Sequence, residues 1–144
     1  MNPRIAPATS AIACVLVLGC GLKKSKEDAE RIVARHYEAI ATHATDAVLA
    51  DYDEQFFEKT TRQGWLEVLK KVESKLGPYQ SHRVTSWNAR NNFGTNAGSY
   101  VTIGCEVTYA NHEAQEQMEL FRANERDEFK ITKHGIDSEA LHGD

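Results

Sequence analysis

The chain has 144 residues, of which 17 are Lys or Arg and 21 are Asp or Glu, so its formal net charge is −4 at pH 7. Nucleic-acid binding depends on clustered basic residues that neutralise phosphates, and a mildly acidic chain without basic patches argues against a nucleic-acid partner. The length fits one ordinary domain with a single core.

The first feature along the chain is an apolar segment that ends at a cysteine. A short basic start with Arg4 precedes an apolar run over residues 11–18, then Gly19 and Cys20. This order is typical of a secretory signal, and the Val-Leu-Gly-Cys ending resembles the lipobox of bacterial lipoproteins. A secretory signal with a chance cysteine and an uncleaved membrane helix are the alternatives. The helix is the weaker one, because the apolar stretch is short for a span that needs ~20 residues.

The lipobox resemblance implies diacylglyceryl transfer to the Cys20 thiol, cleavage between Gly19 and Cys20, and a membrane anchor of two or three acyl chains. It divides the chain into a signal over 1–19, a lipidated tether over 20–25, a domain over 26–140 and a tail over 141–144. The residue after Cys20 is Gly21. In many Gram-negative lipoproteins an aspartate at this position resembles a signal for retention in the inner membrane, and this chain lacks it. The expected location is the cell envelope, at the periplasmic face of the outer membrane if the source is Gram-negative.

Three lysines follow the lipidation site directly. Juxtamembrane Lys23, Lys24 and Lys26 would attract anionic headgroups, although ordinary solvated charge is an equal alternative. The other two cysteines carry less chemistry. Cys14 leaves with the signal, and Cys105 lies among apolar strand residues, so we expect a buried small hydrophobe and no intramolecular disulfide.

The next segments have helical periodicity. Ser25 as N-cap predicts a first helix to about Thr42, with one apolar stripe along it. The stripe consists of Ala29, Ile32, Val33, His36, Tyr37 and Ile40. A short helical turn over 46–50 follows, with Thr45 as its cap. A third helix starts at Thr60 and Thr61 and ends at Gly77-Pro78, where proline cannot continue a helix.

From residue 79 onward the pattern alternates and predicts four strands, over 79–90, 99–110, 113–122 and 128–136. Short turn-forming clusters between them indicate an antiparallel meander. In the first strand Val84 and Trp87 differ in parity, which a β-bulge or partial burial of both faces would reconcile. The predicted fold class is α+β, with N-terminal helices packed on one face of a curved four-stranded sheet.

This order of elements is similar to the cone-shaped nuclear transport factor 2-like fold of the cystatin-like group. The stretches that carry the resemblance are residues 27–40, 64–69 with 75–79, 98–103 and 107–109, which look like uncharacterised bacterial lipoproteins of this superfamily. The resemblance implies an interior cavity that some members use for ligands or catalysis. It suggests the following cavity-lining residues: Tyr37, Trp65, His82, Trp87 and Tyr109. It also implies that the opposite sheet face, with Tyr100, Thr102 and Glu106, can mediate pairing.

No catalytic, metal or cofactor motif stands out. The six histidines form no His-x-His or His-Glu-x-x-His pattern, and the glycines form no phosphate-binding loop. Superfamily members with polyketide cyclase or isomerase activity use a pocket acid or imidazole as general base. Here Glu106 falls on the outer face, and His82 and His134 show no evident partner. We therefore expect no metal, no cofactor and no enzymatic activity.

The expected function is a non-enzymatic, membrane-anchored binding domain of the cell envelope. Its partner would be an envelope protein, a second copy of the chain, or a small hydrophobic ligand. An acid–base enzyme is the alternative, and an inhibitor or immunity-type protein acting through loop 91–98 is a third possibility.

Overall fold

A computed structural model describes residues 15–143. Residues 1–14 of the signal predicted over 1–19 lie outside this range. Helices fill the first half and strands the second. The helices are α1 (Val15–Ala41), α2 (Thr45–Ala50), α3 (Glu54–Phe57), α4 (Arg62–Leu76) and α5 (Glu139–His142). The strands are β1 (Tyr79–Asn92), β2 (Gly98–Tyr109), β3 (Glu113–Arg122) and β4 (Lys130–Asp137). In this range no helix is both long and apolar enough to cross a membrane.

The strands form one antiparallel sheet in the order β1-β2-β3-β4, which confirms the predicted meander. The helices pack against one face of this sheet, so the α+β class is also confirmed. Alternate residues of β2 and β3 are buried beneath the helices, beginning with Val101 in β2 and Ala114 in β3. The core is therefore a single layer between helices and sheet.

Helix α1 already includes Val15, the first described residue, ten residues before the predicted start at Ser25. Ser25 is not an N-cap but is buried within the helix, where its Oγ accepts a hydrogen bond from Arg122 Nη2 at 3.3 Å. The predicted tether over 20–25 is therefore helical. At a rise of ~1.5 Å per residue, Cys20 lies only about 8 Å along the axis from Ser25.

The other helices follow the predicted boundaries with small differences. Thr61 caps α4 by accepting a hydrogen bond from the Gly64 amide at 2.9 Å. The same helix ends at Gly77, whose φ of 88° favours glycine. Thr45 is the first residue of α2 rather than its cap. The sequence pattern missed the one-turn helix α3, which Asp53 caps.

Of three register shifts in the sheet, two decide which side chains near the candidate site face the helices. In β1 the register shifts between Val84, opposite Cys105, and Ser86, so Trp87 lies opposite the inward residue Ile103. The predicted bulge is thus confirmed. In β4 the register shifts between Ile131, opposite Leu120, and Lys133, opposite Glu119. His134 then lies opposite Met118 and faces the helices, although it is three residues from Ile131.

Candidate functional site

A buried carboxylate, Glu116 of β3, lies at the centre of the core with its side chain 1 % exposed. Three donors close around it. The phenol of Tyr37 and Nε2 of His134 each lie 2.8 Å from Oε2, and the phenol of Tyr109 donates to Oε1. A carboxylate held by this many hydrogen bonds is stable without water.

The hydrogen bonds continue from His134 across the core to α1 and α2. Nδ1 of His134 lies 2.8 Å from the Tyr52 phenol, and that phenol lies 3.3 Å from Nε2 of His36. Nδ1 of His36 lies 3.3 Å from Asp51. We call this chain, from Glu116 to Asp51, the core network.

The core network reaches the surface through one arginine. Arg35 of α1 contacts Asp51 through Nη2 at 2.6 Å and Glu128 through Nη1 at 3.1 Å. The Arg35 side chain is 47 % exposed, whereas the His36 and His134 side chains are completely buried. The titratable groups of the core network are therefore sealed from solvent in this conformation.

Protonation follows from the surroundings of each group. Burial alone would raise the pKa of the Glu116 carboxyl, but the hydrogen bonds and charge of His134 and the tyrosine donors outweigh it and lower the pKa. Asp51 follows the same pattern, since His36 and Arg35 outweigh burial and lower its pKa. Burial lowers the pKa of His36 despite Asp51. The two carboxyls are thus ionised at neutral pH.

Sequence reasoning missed most of the core network. Glu116 shares strand parity with Met118 and Leu120, which was the available signal that it faces inward. The inward position of His134 depends on the β4 bulge, which sequence parity does not show. Asp51 and Tyr52 follow α2 and are held there by backbone pairing with Ile131.

The residues proposed for a cavity fall into three places. Tyr37 and His82 stack at 4.6 Å between ring centroids, and Tyr37 shares Glu116 with Tyr109. Trp65 packs edge-on against Tyr52 at 5.8 Å. Trp87 does not line a cavity. It is 47 % exposed on the edge strand, with the Lys26 side chain of α1 over its ring.

Two of the open depressions in the described part of the domain bear on the candidate site. One, the α1–α4 cleft, has a volume of about 200 Å³, and its apolar lining includes Ile40, Val48, Leu66, Leu69, Tyr79 and Tyr109. The other, the β4 groove, has a volume of about 480 Å³, and its lining includes Phe56, Lys59, Trp65, Tyr100, Thr132 and His134. Because the His134 side chain is fully buried, it lies beneath this groove and is not exposed in it.

The outer sheet face is mostly polar. Tyr100, Thr102 and Glu106 alternate with the buried residues of β2 and lie on this face, half-buried. Arg83 donates to Glu106 at 3.0 Å, and this contact lowers the pKa of the carboxyl. Glu106 is therefore an outer-face acid, as strand parity predicted, and takes no part in the core network.

The end of the domain where α1 begins has a different character. Cys20 is exposed there, and six residues along the helix Lys26 lies 5.3 Å from the centre of the Trp87 ring. Arg122 fixes this part of α1 to the sheet through Asp28 at 2.9 Å. We call residues 19–26 together with the β1–β2 tip, residues 91–98, the anchor end.

Within residues 15–143 no three His, Cys, Asp or Glu side chains are grouped in a way that could hold a metal ion. Cys105 is buried, which raises its thiol pKa to about 12. Comparison of the chain with protein-family models, with curated proteins and with solved structures finds no match.

Proposed function

We propose that this chain is a lipid-anchored domain of the bacterial cell envelope that binds a partner without catalysing a reaction. Its fold would be the nuclear transport factor 2-like cone. If the source is Gram-negative, it would lie at the periplasmic face of the outer membrane. The observation that carries the anchor is the Val-Leu-Gly-Cys sequence with an exposed Cys20, five residues before Ser25 is buried in the domain.

Acylation of Cys20 is tested by substitution in a bacterial host with lipoprotein-processing enzymes. The wild-type chain should incorporate an alkyne-tagged palmitate and fractionate with membranes, whereas Cys20→Ser should do neither. Cys14→Ser is the matched control, because it removes a second thiol of the same apolar segment and should leave labelling unchanged. Label retained by Cys20→Ser would contradict the anchor, as would an N-terminus that mass spectrometry finds elsewhere.

A binding role rather than catalysis is supported by the burial of the core network. A general acid or base must reach its substrate within hydrogen-bond distance. The side chains of His134, Glu116 and His36 are at most 1 % exposed, so no substrate can contact them in this conformation. Each also has a protein partner already, which is how buried charges contribute to a specific core.

An acid–base enzyme is the second candidate, because the β4 groove lies directly over His134. Diethylpyrocarbonate, which acylates accessible imidazoles, separates the two proposals. The exposed rings of His43 and His142 should react quickly in the folded chain, while His36 and His134 should react only on unfolding. Modification of His134 in the folded chain would show that the groove opens to it and would favour the enzyme.

The α1–α4 cleft is the site that we propose for binding. Its lining is largely apolar, but its volume of about 200 Å³ is below the ~300–1,000 Å³ of typical small-molecule pockets. It therefore fits a small hydrophobic molecule or one apolar side chain of a partner protein.

Native mass spectrometry of the lipidated protein tests the small hydrophobic ligand. Wild-type protein should carry an added mass that Leu69→Gln, a change in the cleft wall, loses. Lys71→Gln, an exposed change on the same helix, should keep it. A wild-type protein without added mass would contradict the ligand and leave the partner protein as the occupant.

A further inference from the structure

Three large hydrophobic side chains stay exposed in the described part of the chain, namely Val68, Trp87 and Phe93, at 42 %, 47 % and 89 %. Two of them belong to β1 and the tip that follows it. The eight residues of this tip, 91–98, include no charged side chain. A phenylalanine that is almost fully exposed on an uncharged tip has no role in the core and is available for an external contact.

The β1–β2 tip lies at the same end of the domain as Cys20. Arg122, which holds Ser25 and Asp28 of α1, is paired in the sheet with Ser99, and Ser99 is paired with Asn91. The other end of the sheet is distant, since Tyr37 of α1 stacks on Tyr79 at the start of β1. Helix α1 and strand β1 therefore run in opposite directions.

The contact between Lys26 and Trp87 gives a common origin from which to measure how far Cys20 and the tip extend along the domain. Cys20 is six helical residues from Lys26, a rise of about 9 Å. Phe93 is six residues beyond Trp87, a distance of about 20 Å along an extended strand. The tip therefore extends at least as far as the proposed lipid attachment.

The charges at this end suit an anionic surface. Lys23 and Lys24 are exposed, and Lys26 places its ammonium over the half-exposed Trp87 ring. Lysine and tryptophan side by side are common at membrane interfaces, where the indole sits at headgroup level and the ammonium meets lipid phosphate. Acids share this end of the helix: Asp28 is bound by Arg122 and Lys24, Glu30 is bound by Lys26 at 3.2 Å, and Glu27 is exposed.

We infer that the anchor end docks on an anionic phospholipid bilayer, with Phe93 inserted at the interface beside the acylated Cys20. The inference rests on the proposed acylation, and it adds an orientation. The strands of the sheet point toward the membrane. The α1–α4 cleft, whose lining includes Tyr79 and Tyr109, then lies at the end of the domain away from the membrane. The apolar face of an interfacial amphipathic helix lies about 5–10 Å deep in the headgroup region, and we expect the Phe93 ring to reach a similar depth.

A fluorescent reporter on the tip tests this orientation. Thr95→Cys is labelled with an environment-sensitive dye on the full, lipidated chain, where the second thiol, Cys105, is buried. The protein is reconstituted into phosphatidylglycerol–phosphatidylethanolamine vesicles. We expect a severalfold rise in emission over detergent-free aqueous controls and strong quenching by lipids brominated near the headgroup.

Two variants provide the controls. His112→Cys carries the dye on the β2–β3 turn at the opposite end of the sheet and should stay unquenched. Phe93→Ser in the Thr95→Cys chain should abolish most of the quenching without affecting folding, because Phe93 is 89 % exposed. Mass spectrometry of the same samples reports whether Cys20 is acylated.

The outcomes separate the two proposals. Acylated protein whose tip dye stays unquenched overturns the docking inference and leaves the anchor intact, whereas an unmodified Cys20 overturns both. Equal quenching at positions 95 and 112 would show a domain without fixed orientation, which also overturns the inference. So would a tip signal that appears only when membrane proteins are added, because the occupant would then be a protein.

Discussion

Around Glu116 two phenols and an imidazole close on one carboxylate in the centre of the core, while at the anchor end Trp87 and Phe93 remain exposed beside lysines. Both regions combine aromatic rings with charge. In the first, each polar atom has a partner within the domain. In the second, Trp87 is half-exposed and Phe93 is almost fully exposed.

This difference separates residues that stabilise the fold from residues available to a partner. A buried carboxylate whose lone pairs are occupied by protein donors can neither take a proton from a substrate nor bind a metal without breaking the core. Exposed rings carry no such constraint, because changing them costs the fold little. The predictions below test this separation.

The largest expected effect is on stability at Glu116. Glu116→Ala leaves the buried Tyr37, Tyr109 and His134 groups without their acceptor, and should lower the free energy of unfolding by about 3–5 kcal/mol. Urea denaturation measures it. Glu106→Ala, which removes an outer-face carboxylate, should leave the midpoint almost unchanged. A small effect at Glu116 would mean that the core network is not structural.

The two regions also differ in their thiols. Burial raises the pKa of Cys105 to about 12, so at pH 8 its reaction with a disulfide reagent should be about 40- to 100-fold slower than that of an exposed cysteine with a pKa near ~8.5, after allowing for thiolate nucleophilicity. In the unlipidated Cys14→Ser chain, the exposed Cys20 should react first, with Cys105 reacting only in denaturant. Rapid reaction of both thiols would show that the core opens readily.

Local patterns predicted the elements well because their causes are local. The Thr61 cap, the Gly77 end of α4 and the alternation in β2 need no information from elsewhere in the chain. The core network could not be derived this way. Its assembly depends on the β4 bulge that turns His134 inward and on the bridge between Tyr52 and Ile131, and both are set by tertiary packing.

Tertiary packing also explains why the predictions for Ser25 and Trp87 were wrong. Serine is a preferred N-cap residue. Here, however, Ser25 lies inside a longer helix, and its hydroxyl accepts a hydrogen bond from Arg122, 97 residues later in the chain. The resemblance to the cone-shaped fold implies a cavity position for Trp87, which its 47 % exposure contradicts. The β-bulge in β1 that was offered to explain the parity of Val84 and Trp87 is present. The sequence does not show, however, how far the helices extend over this edge strand, and therefore whether Trp87 is covered.

A smaller effect concerns the base of the β1–β2 tip. Gly98 has φ of 152°, and a Cβ there would lie 2.5 Å from the Arg122 carbonyl oxygen and against the Phe121 ring. Gly98→Ala should therefore lower the free energy of unfolding by about 2 kcal/mol and misplace Phe93.

Gly94→Ala is the control for that change. It carries positive φ strain but meets open space, so it should cost about 1 kcal/mol or less. Thermal unfolding of both variants measures the difference. Equal losses would show that the contact with Arg122 and Phe121 is not what fixes the hairpin.

The smallest effect is a pH dependence to which His36 and the partly buried His82 contribute with the same sign. Burial lowers the pKa of His36 in the folded chain, whereas the unfolded ring titrates near ~6.5. As pH falls below that value, the unfolded state takes up a proton that folded His36 refuses, so stability decreases with falling pH. Between pH 7 and pH 5 the free energy of unfolding from urea curves should drop by about 1–2 kcal/mol. The drop should persist in His43→Gln, which removes an exposed ring, and should be reduced in His36→Gln. Stability that rises toward pH 5 would mean that the contact with Asp51 outweighs burial and raises the pKa of His36 on folding.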